Sequence, residues 1–226
     1  MIEIINLSKS FGRNKALKNI NIKFESGIIY GIVGDNGAGK TTLFRCIAGL
    51  EDFEGEIISS PHPLKNYLGF LFSEPYFLNK ITGTEYIRLL CNARSKNITK
   101  IMEKNLFNLP LNRYVSSYSS GEKKKLAFFA LLLQENEVFI LDEPFNGVDV
   151  YGNIIITEII HKLKSLNKLV IISSHIFSTL KETCDEIYHL KKGEIIMRYP
   201  SSSFHILEND LKEIAIGNKI DVLGLK

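Results

Sequence analysis

Gly34-Asp35-Asn36-Gly37-Ala38-Gly39-Lys40-Thr41-Thr42 is the stretch from which the rest of the chain is read. Its spacing is G-x-x-x-x-G-K-[ST], with Gly34, Gly39, Lys40 and Thr41 in the defining places. Glycines at those places let successive backbone N–H groups converge on an anion without a Cβ in the way, and Lys40 adds a positive charge. Thr41 offers a hydroxyl to Mg²⁺. The pattern by itself also fits a plain glycine turn, so the flanks decide. Ile28 to Val33 is an apolar, β-branched run suited to a buried strand. Thr42 to Leu50 reads as a helix, whose positive end would face the anion. Strand, loop and helix in that order make a nucleotide's phosphates the ligand, with Asn36, Gly37, Gly39, Lys40, Thr41 and Thr42 as candidate contacts.

The 226 residues suffice for one large domain or two small ones, and 45% hydrophobic with 23% charged content is ordinary for a globular protein. A net charge of +3 without clustered basicity argues against a dedicated nucleic-acid binder. Cys46, Cys91 and Cys184 are odd in number and widely spaced. They indicate neither a disulfide framework nor a zinc site, and suit a reducing cytosol. Met1 to Asn6 lacks a basic segment followed by an apolar core, so no signal peptide is expected. No apolar run approaches the ~20 residues of a membrane helix. A role at a membrane therefore requires another subunit to do the spanning.

Taken in order, residues 2–6 read as a short strand and Ser8 to Asn14 as a polar turn carrying one exposed aromatic, Phe11. Ile20-Asn21-Ile22-Lys23-Phe24 alternates as a half-solvated strand, and Ser26-Gly27 turns it toward the next strand. This suggests a mixed sheet at the front of an α/β core. Gly55 to Ser59 and Tyr67 to Phe72 read as further strands. From Glu74 to about Gln134 the chain changes character, with helical spacing over Glu85 to Ala93 and Thr99 to Phe107 and a break at Pro110. Beyond it, a strand over Glu137 to Leu141, a helix from about Tyr151 to Leu166 and a strand from Lys168 to Ser173 follow. A helix over Ile176 to Cys184 and a strand pair across Lys192-Gly193 complete the core. That alternation predicts a parallel core sheet with helices on both faces. Ser201 to Ser203 reads as a linker, and Phe204 to Ile216 as an amphipathic helix or a loosely attached extension.

A nucleotide site needs a second half: a buried strand ending in carboxylates. Val138-Phe139-Ile140-Leu141-Asp142-Glu143 provides it at the carboxyl edge where α/β sheets place ligands. Asp142 is placed to reach Mg²⁺ through water, and Glu143 to act as general base toward a hydrolytic water. Adjacent carboxylates after a strand are otherwise often a solvated turn; the phosphate loop favours the catalytic alternative.

With these motifs in place, nearly the whole chain resembles the ATP-binding cassette (ABC) ATPases, the nucleotide-hydrolysing subunits of ABC transporters. Tyr118-Ser119-Ser120-Gly121-Glu122 stands where that family has its Leu-Ser-Gly-Gly-Gln signature. Pro144-Phe145-Asn146-Gly147-Val148-Asp149 looks like the D-loop, Ser174-His175 like the switch histidine, and Phe11 falls where the family stacks an aromatic ring on adenine. The resemblance implies a P-loop NTPase core with a mixed, mainly parallel sheet, an N-terminal antiparallel β-subdomain and a helical insertion at about 76–134. A single domain over 1–226, with 201–226 as a short extension, is expected. It implies ATP and Mg²⁺ as cofactors, Glu143 and His175 as catalytic residues, and Ser119, Ser120, Gly121 and Glu122 closing over the nucleotide of a second cassette. It further implies a transmembrane permease as partner and a peripheral place on the cytoplasmic face of the cell membrane.

Three departures matter. Ser73 replaces a glutamine that touches Mg²⁺; it is shorter, leaving contact through a water or substitution by Glu74. Ser120 replaces the first signature glycine and is tolerable only where φ need not be positive. Glu122 replaces the terminal glutamine and adds negative charge unless it points away. Ser119 also suits a plain helix cap. Lys123-Lys124-Lys125 reads as a solvated helix face. The expected activity is slowed or partner-dependent ATP hydrolysis powering export. The runner-up is a non-transport ABC ATPase in DNA repair or translation, and a P-loop kinase or GTPase stands further off.

Overall fold

A computed structural model describes residues 1–215. Two sheets share the chain. Strands β1 (Ile2–Phe11), β2 (Asn14–Phe24) and β4 (Glu54–Ser59) form an antiparallel sheet in the order β2-β1-β4. The second sheet contains β3 (Ile29–Val33), β5 (Leu68–Leu71), β6 (Val138–Asp142), β7 (Leu169–Ser174), β8 (Glu186–Lys191) and β9 (Glu194–Pro200). Its order is β5-β6-β7-β3-β8-β9, parallel throughout except for β9. The antiparallel pair thus does not front a single mixed sheet, as its sequence suggested. β2 and β3 lie in different sheets, because β2 finds its ladder partner in β1. The polar turn expected over Ser8 to Asn14 also shrinks to Gly12-Arg13: Lys9, Ser10 and Phe11 pair with Leu17, Lys15 and Asn14. The ladder satisfies their backbone groups, and polar side chains are no obstacle on a solvated face.

Period-two alternation divides the core sheet between two cores. Ile29, Val33, Phe139, Leu141, Val170, Ile172 and Ile187 face one core, shared with α2 (Gly83–Asn92), α3 (Ser120–Leu132), α4 (Val150–Ser165), α5 (Phe177–Thr183) and α6 (Phe204–Ala215). Tyr30, Ile32, Ile140, Ile171, Tyr188 and Leu190 face the other, shared with α1 (Lys40–Ile47) and the antiparallel sheet. Because the parallel strands are in register, their carboxyl ends align. Val33 pairs with Ser174, and Asp142 with Ser173. That edge is where the phosphate loop, the carboxylates and His175 emerge.

The helix expected over Thr99 to Phe107 does not form; the segment is a series of turns. Lys100 and Asn108 have φ of 57° and 52°, and Asn105 bonds both the N–H and the carbonyl of Leu109 with its side chain. Ile101, Phe107, Leu109 and Leu111 are buried all the same, so the apolar spacing reflects burial of an irregular segment. In α6, Phe204 and Leu207 are buried against the core, while Ile216 and residues 217–226 lie outside the described residues. The three cysteines are buried and unpaired by disulfides.

Candidate functional site

The chain leaves β3 at Val33, turns through the glycine-rich loop and enters α1 at Lys40. Gly39 caps that helix with φ 111°, and a Cβ there would lie 2.8 Å from the carbonyl oxygen of Ala16, so glycine is required on both counts. Lys40 is 7% exposed, and its Nζ donates to the carbonyls of Gly34 at 2.6 Å and Asp35 at 3.1 Å. Its partners are neutral dipoles, so the positive charge is available to an anion. The loop opens on a cavity of about 840 Å³ lined by Phe11, Asn36, Gly37, Gly39, Lys40, Thr41, Thr42, Ser73, Asp142 and Glu143. Arg13, Lys15, Lys18 and Lys192 add a basic rim that the sequence reading missed. Their charges are spread over the β1–β2 turn, β2 and the β8–β9 turn, so no run of basic residues announces them. Phe11 is half exposed at that rim, with Lys9 Nζ 4.8 Å from its ring centroid.

Asp142, 1% exposed, ends β6 between two hydroxyls. Its Oδ2 accepts from Thr41 Oγ1 at 2.7 Å and its Oδ1 from Ser173 Oγ. Ser173 in turn accepts the N–H of Glu143 at 3.0 Å. Ser173 was not singled out beforehand; its signal is a pair of serines completing the otherwise apolar β7 and buried with it. The next residue, Glu143, has φ 52°. A non-glycine residue in that region costs of order 1–3 kcal/mol and persists where its surroundings fix it. The surroundings do so: Ser173 holds the N–H, and the carbonyl accepts from Lys124 Nζ at 3.1 Å and from the N–H of Asn146 at 3.3 Å. The Glu143 carboxylate lies 2.9 Å from His175 Nδ1. An ionised carboxylate only accepts, so the proton sits on Nδ1 and Nε2 of a neutral ring is left free.

Thr41 and Asp142 place hard oxygen donors together beside Ser73, and among the described residues no group of three His, Cys, Asp or Glu forms a cage of its own. This donor set fits Mg²⁺, which takes one or two protein oxygens and leaves the rest to water and phosphate. Ser73 lines both the phosphate cavity and a neighbouring cavity of about 360 Å³, whereas Glu74 lines only the latter, with Ser120, Lys124 and Gly147. Of the two alternatives for this loop, only Ser73 is on the phosphate side.

Ser119 to Glu122 and Asp149 do not line the phosphate cavity of their own chain. Ser119 is the N-cap of α3: its Oγ accepts the Glu122 N–H at 3.2 Å, while the Glu122 carboxylate turns back to accept the Ser119 N–H at 2.8 Å. Glu122 therefore points into its own cap. Ser120 is not among the left-handed residues, so its Cβ fits. Gly121 packs against the D-loop stretch so closely that a Cβ would lie 2.5 Å from the Gly147 carbonyl oxygen. Asp149 caps α4, accepting from Gly152 N–H at 2.7 Å, and pairs with Lys125 Nζ at 2.6 Å. Lys125, through that hydrogen bond above all, holds the exposed Asp149 carboxyl below its usual value.

The lysine run is not a solvated face. Lys124 is buried and Lys123 and Lys125 are half-buried, because every residue from Leu126 to Leu131 on the same helix is buried. A helix apolar all round is a core helix, and that was the available signal.

Residues 17–146 match the family model described as ABC transporter. The bacitracin transport ATP-binding protein BcrA of Enterococcus faecalis is 31% identical over 218 residues, covering 91% of this chain and 71% of that protein. The lantibiotic transport ATP-binding protein SrtF of Streptococcus pyogenes is 31% identical over 208 residues, covering 87% and 90%. A dimeric, post-hydrolysis structure of the ATP-binding cassette MJ0796 with ADP and Pi superposes with a TM-score of 0.80 at 21% identity, covering 89% and 99%. With a family model spanning more than half of its length and relatives of that identity, the chain belongs to the ABC transporter ATP-binding family, and its fold is that of the ABC cassettes.

Proposed function

We propose that this chain is a single cassette over 1–226, with its helical part at about 76–134. It binds ATP in the phosphate cavity, hydrolyses it with Glu143 as general base, and powers a separately encoded membrane permease, in export. The observation that carries this reading is the meeting at one sheet edge of the Lys40 ammonium, the Thr41–Asp142 pair and the Glu143–His175 pair. Lys40 and the loop N–H groups hold the β- and γ-phosphates, and Phe11 offers its ring to adenine. Thr41, Asp142 through water, and Ser73 through water would hold Mg²⁺, which when bound neutralises phosphate charge. Glu143 accepts a proton from the attacking water, and His175, held by Glu143 through Nδ1, donates from Nε2 to a γ-phosphate oxygen as the imidazolium, in which both ring nitrogens carry protons. Positioning and charge stabilisation supply most of the rate gain in such phosphoryl transfers.

Ser119 to Glu122 do not line the phosphate cavity of their own chain, which supports a site completed by the signature of a second cassette, homo- or heterodimeric. The dimeric cassette named above supports that assembly, and relatives named for bacitracin and lantibiotic transport support a transport role. An apolar groove of about 430 Å³ beside the Ser73 loop is lined by Phe72, Pro75, Tyr76, Leu78 and Leu89, with Tyr76 79% exposed, and suits a permease segment. Among the described residues no helix is long and apolar enough to cross a membrane, in keeping with peripheral attachment at the cytoplasmic face.

Steady-state ATPase and ATP-dependent dimerisation of wild type and Glu143→Gln test the reading. The variant should retain ATP and dimerise while hydrolysis falls by about 10² to 10⁴. Equal hydrolysis in both would sink the general-base assignment. A stoichiometric integral membrane protein co-purifying from detergent-solubilised membranes is the expected partner; ribosomes or DNA in its place would overturn the transport role.

A further inference from the structure

We propose that Lys124 is a positioning residue for hydrolysis, tying the signature helix, the Ser73 loop and Glu143 into one unit through backbone carbonyls. Lys124 is 3% exposed. Its Nζ donates to the carbonyl of Ser73, just beyond the end of β5, and at 3.1 Å to the carbonyl of Glu143, at the end of β6. Those two strands are parallel neighbours, Leu71 pairing with Leu141. The ammonium thus closes the gap where the strands end and their loops diverge. Its own backbone lies in the second turn of α3, two residues past the Glu122 cap, so the same side chain connects to the signature.

A buried ammonium is costly unless its donors are satisfied and opposite charge is near. Two of the three Lys124 N–H groups have carbonyl partners, and carboxylates lie near. Burial pulls Lys124 below the usual lysine value, while Asp142, Glu143 and Glu74 favour its charge. An apolar side chain would fill this position in a helix otherwise buried from Leu126 to Leu131 without that cost, so the lysine does more than pack. What it holds is the carbonyl of Glu143, a non-glycine residue at φ 52°, and with it the backbone from which the carboxylate projects. The opposite end of the tie, Ser73, begins the loop leading to the apolar groove at Tyr76. Displacement of that loop by a docked partner therefore reaches Glu143 through one ammonium group, without passing through the nucleotide.

The proposal rests on Glu143 as general base, and the test separates the two. On the full chain, Lys124→Met should lower kcat by about 10- to 100-fold, the size typical of lost orienting contacts, while ATP affinity stays within about threefold of wild type. Lys124→Gln, with two N–H donors on a shorter uncharged stem, should recover part of that loss. Amide exchange by mass spectrometry, which needs no turnover, should rise in Lys124→Met in both the 72–76 and the 143–147 segments. Wild-type kcat in Lys124→Met, a parallel fall of kcat and ATP affinity, Gln no better than Met, or unchanged exchange in both segments would each overturn the positioning role. Equal hydrolysis by wild type and Glu143→Gln would instead overturn the general-base reading, with the exchange measurement still deciding whether Lys124 ties the segments.

Discussion

The phosphate-loop half and the signature half of this chain both gather polar groups at helix N-termini, and they hold those groups differently. Around the loop the partners come from far apart in sequence: Thr41 meets Asp142, Asp142 meets Ser173, and Glu143 meets His175. Around the signature the caps are local, Ser119 with Glu122 and Asp149 with Gly152, with the Lys125–Asp149 pair and the Gly121–Gly147 packing joining the two helices' starts. The first arrangement exists only when the core sheet is assembled, and it converges inward on a cavity. The second rests mainly on the geometry of single helical turns and lies apart from that cavity. Groups proposed for the chemistry are thus held across the sheet, and groups proposed to meet a partner are held largely by caps.

Substitutions should break the two halves unequally. The largest effect is expected from Lys40→Ala. Hydrogen bonds to a charged group are worth about 1.5–3 kcal/mol, so ATP affinity should fall by roughly 10- to 150-fold, read by titration with a fluorescent nucleotide. Gly121→Ala comes next. The new Cβ meets the Gly147 carbonyl oxygen, an overpacking expected to cost about 1–3 kcal/mol in denaturant unfolding. ATP affinity should hold while dimerisation fails. If ATP affinity fell as far as in Lys40→Ala, the two halves would not be separable. Mixing Lys40→Ala with Gly121→Ala sharpens the contrast for a homodimer. A head-to-tail pair then keeps one site with both halves intact, so the mixture should turn over ATP that neither variant hydrolyses alone. A mixture as inactive as its components would rule out that arrangement.

Ser119→Ala should cost about 1 kcal/mol, the usual worth of an N-cap, with Glu122→Gln nearly neutral because glutamine also completes a capping box. The smallest effect concerns pH. Asp149 has a depressed folded value relative to its ordinary 3.8, so its support of α4 is complete above that value and disappears as pH falls through the folded one. Amide protection at Gly152 should therefore be flat near neutrality and decline only in acid. Lys125→Met should abolish most of that decline's downward shift; an unchanged titration of Asp149 would refute the pairing.

Much of the site was legible because its signals are local. Gly34 to Thr42 specifies strand, loop and helix through residue types whose backbone needs are unusual, and Val138 to Glu143 shows an apolar run ending in charge. Ser119 reads as a helix cap for the same reason, and the return bond from Glu122 is added by the structure. The helix expected over Thr99 to Phe107 failed because apolar spacing reports burial, and an irregular segment can bury Ile101 and Phe107 as well as a helix can. Lys123 to Lys125 depart from the solvated face their charge suggests because the rest of that helix is enclosed.

By itself, then, the sequence determined a phosphate-binding loop, a carboxylate-ended strand and a capped signature helix, since each depends on a few neighbouring residues and their φ/ψ preferences. The tertiary structure alone decided that β2 and β3 part into different sheets, that Ser173 braces Asp142, and that Lys124 is buried against Ser73 and Glu143. These are contacts between residues tens of positions apart. Nothing in the local chain fixes them, because they follow from which strands pair and in what register.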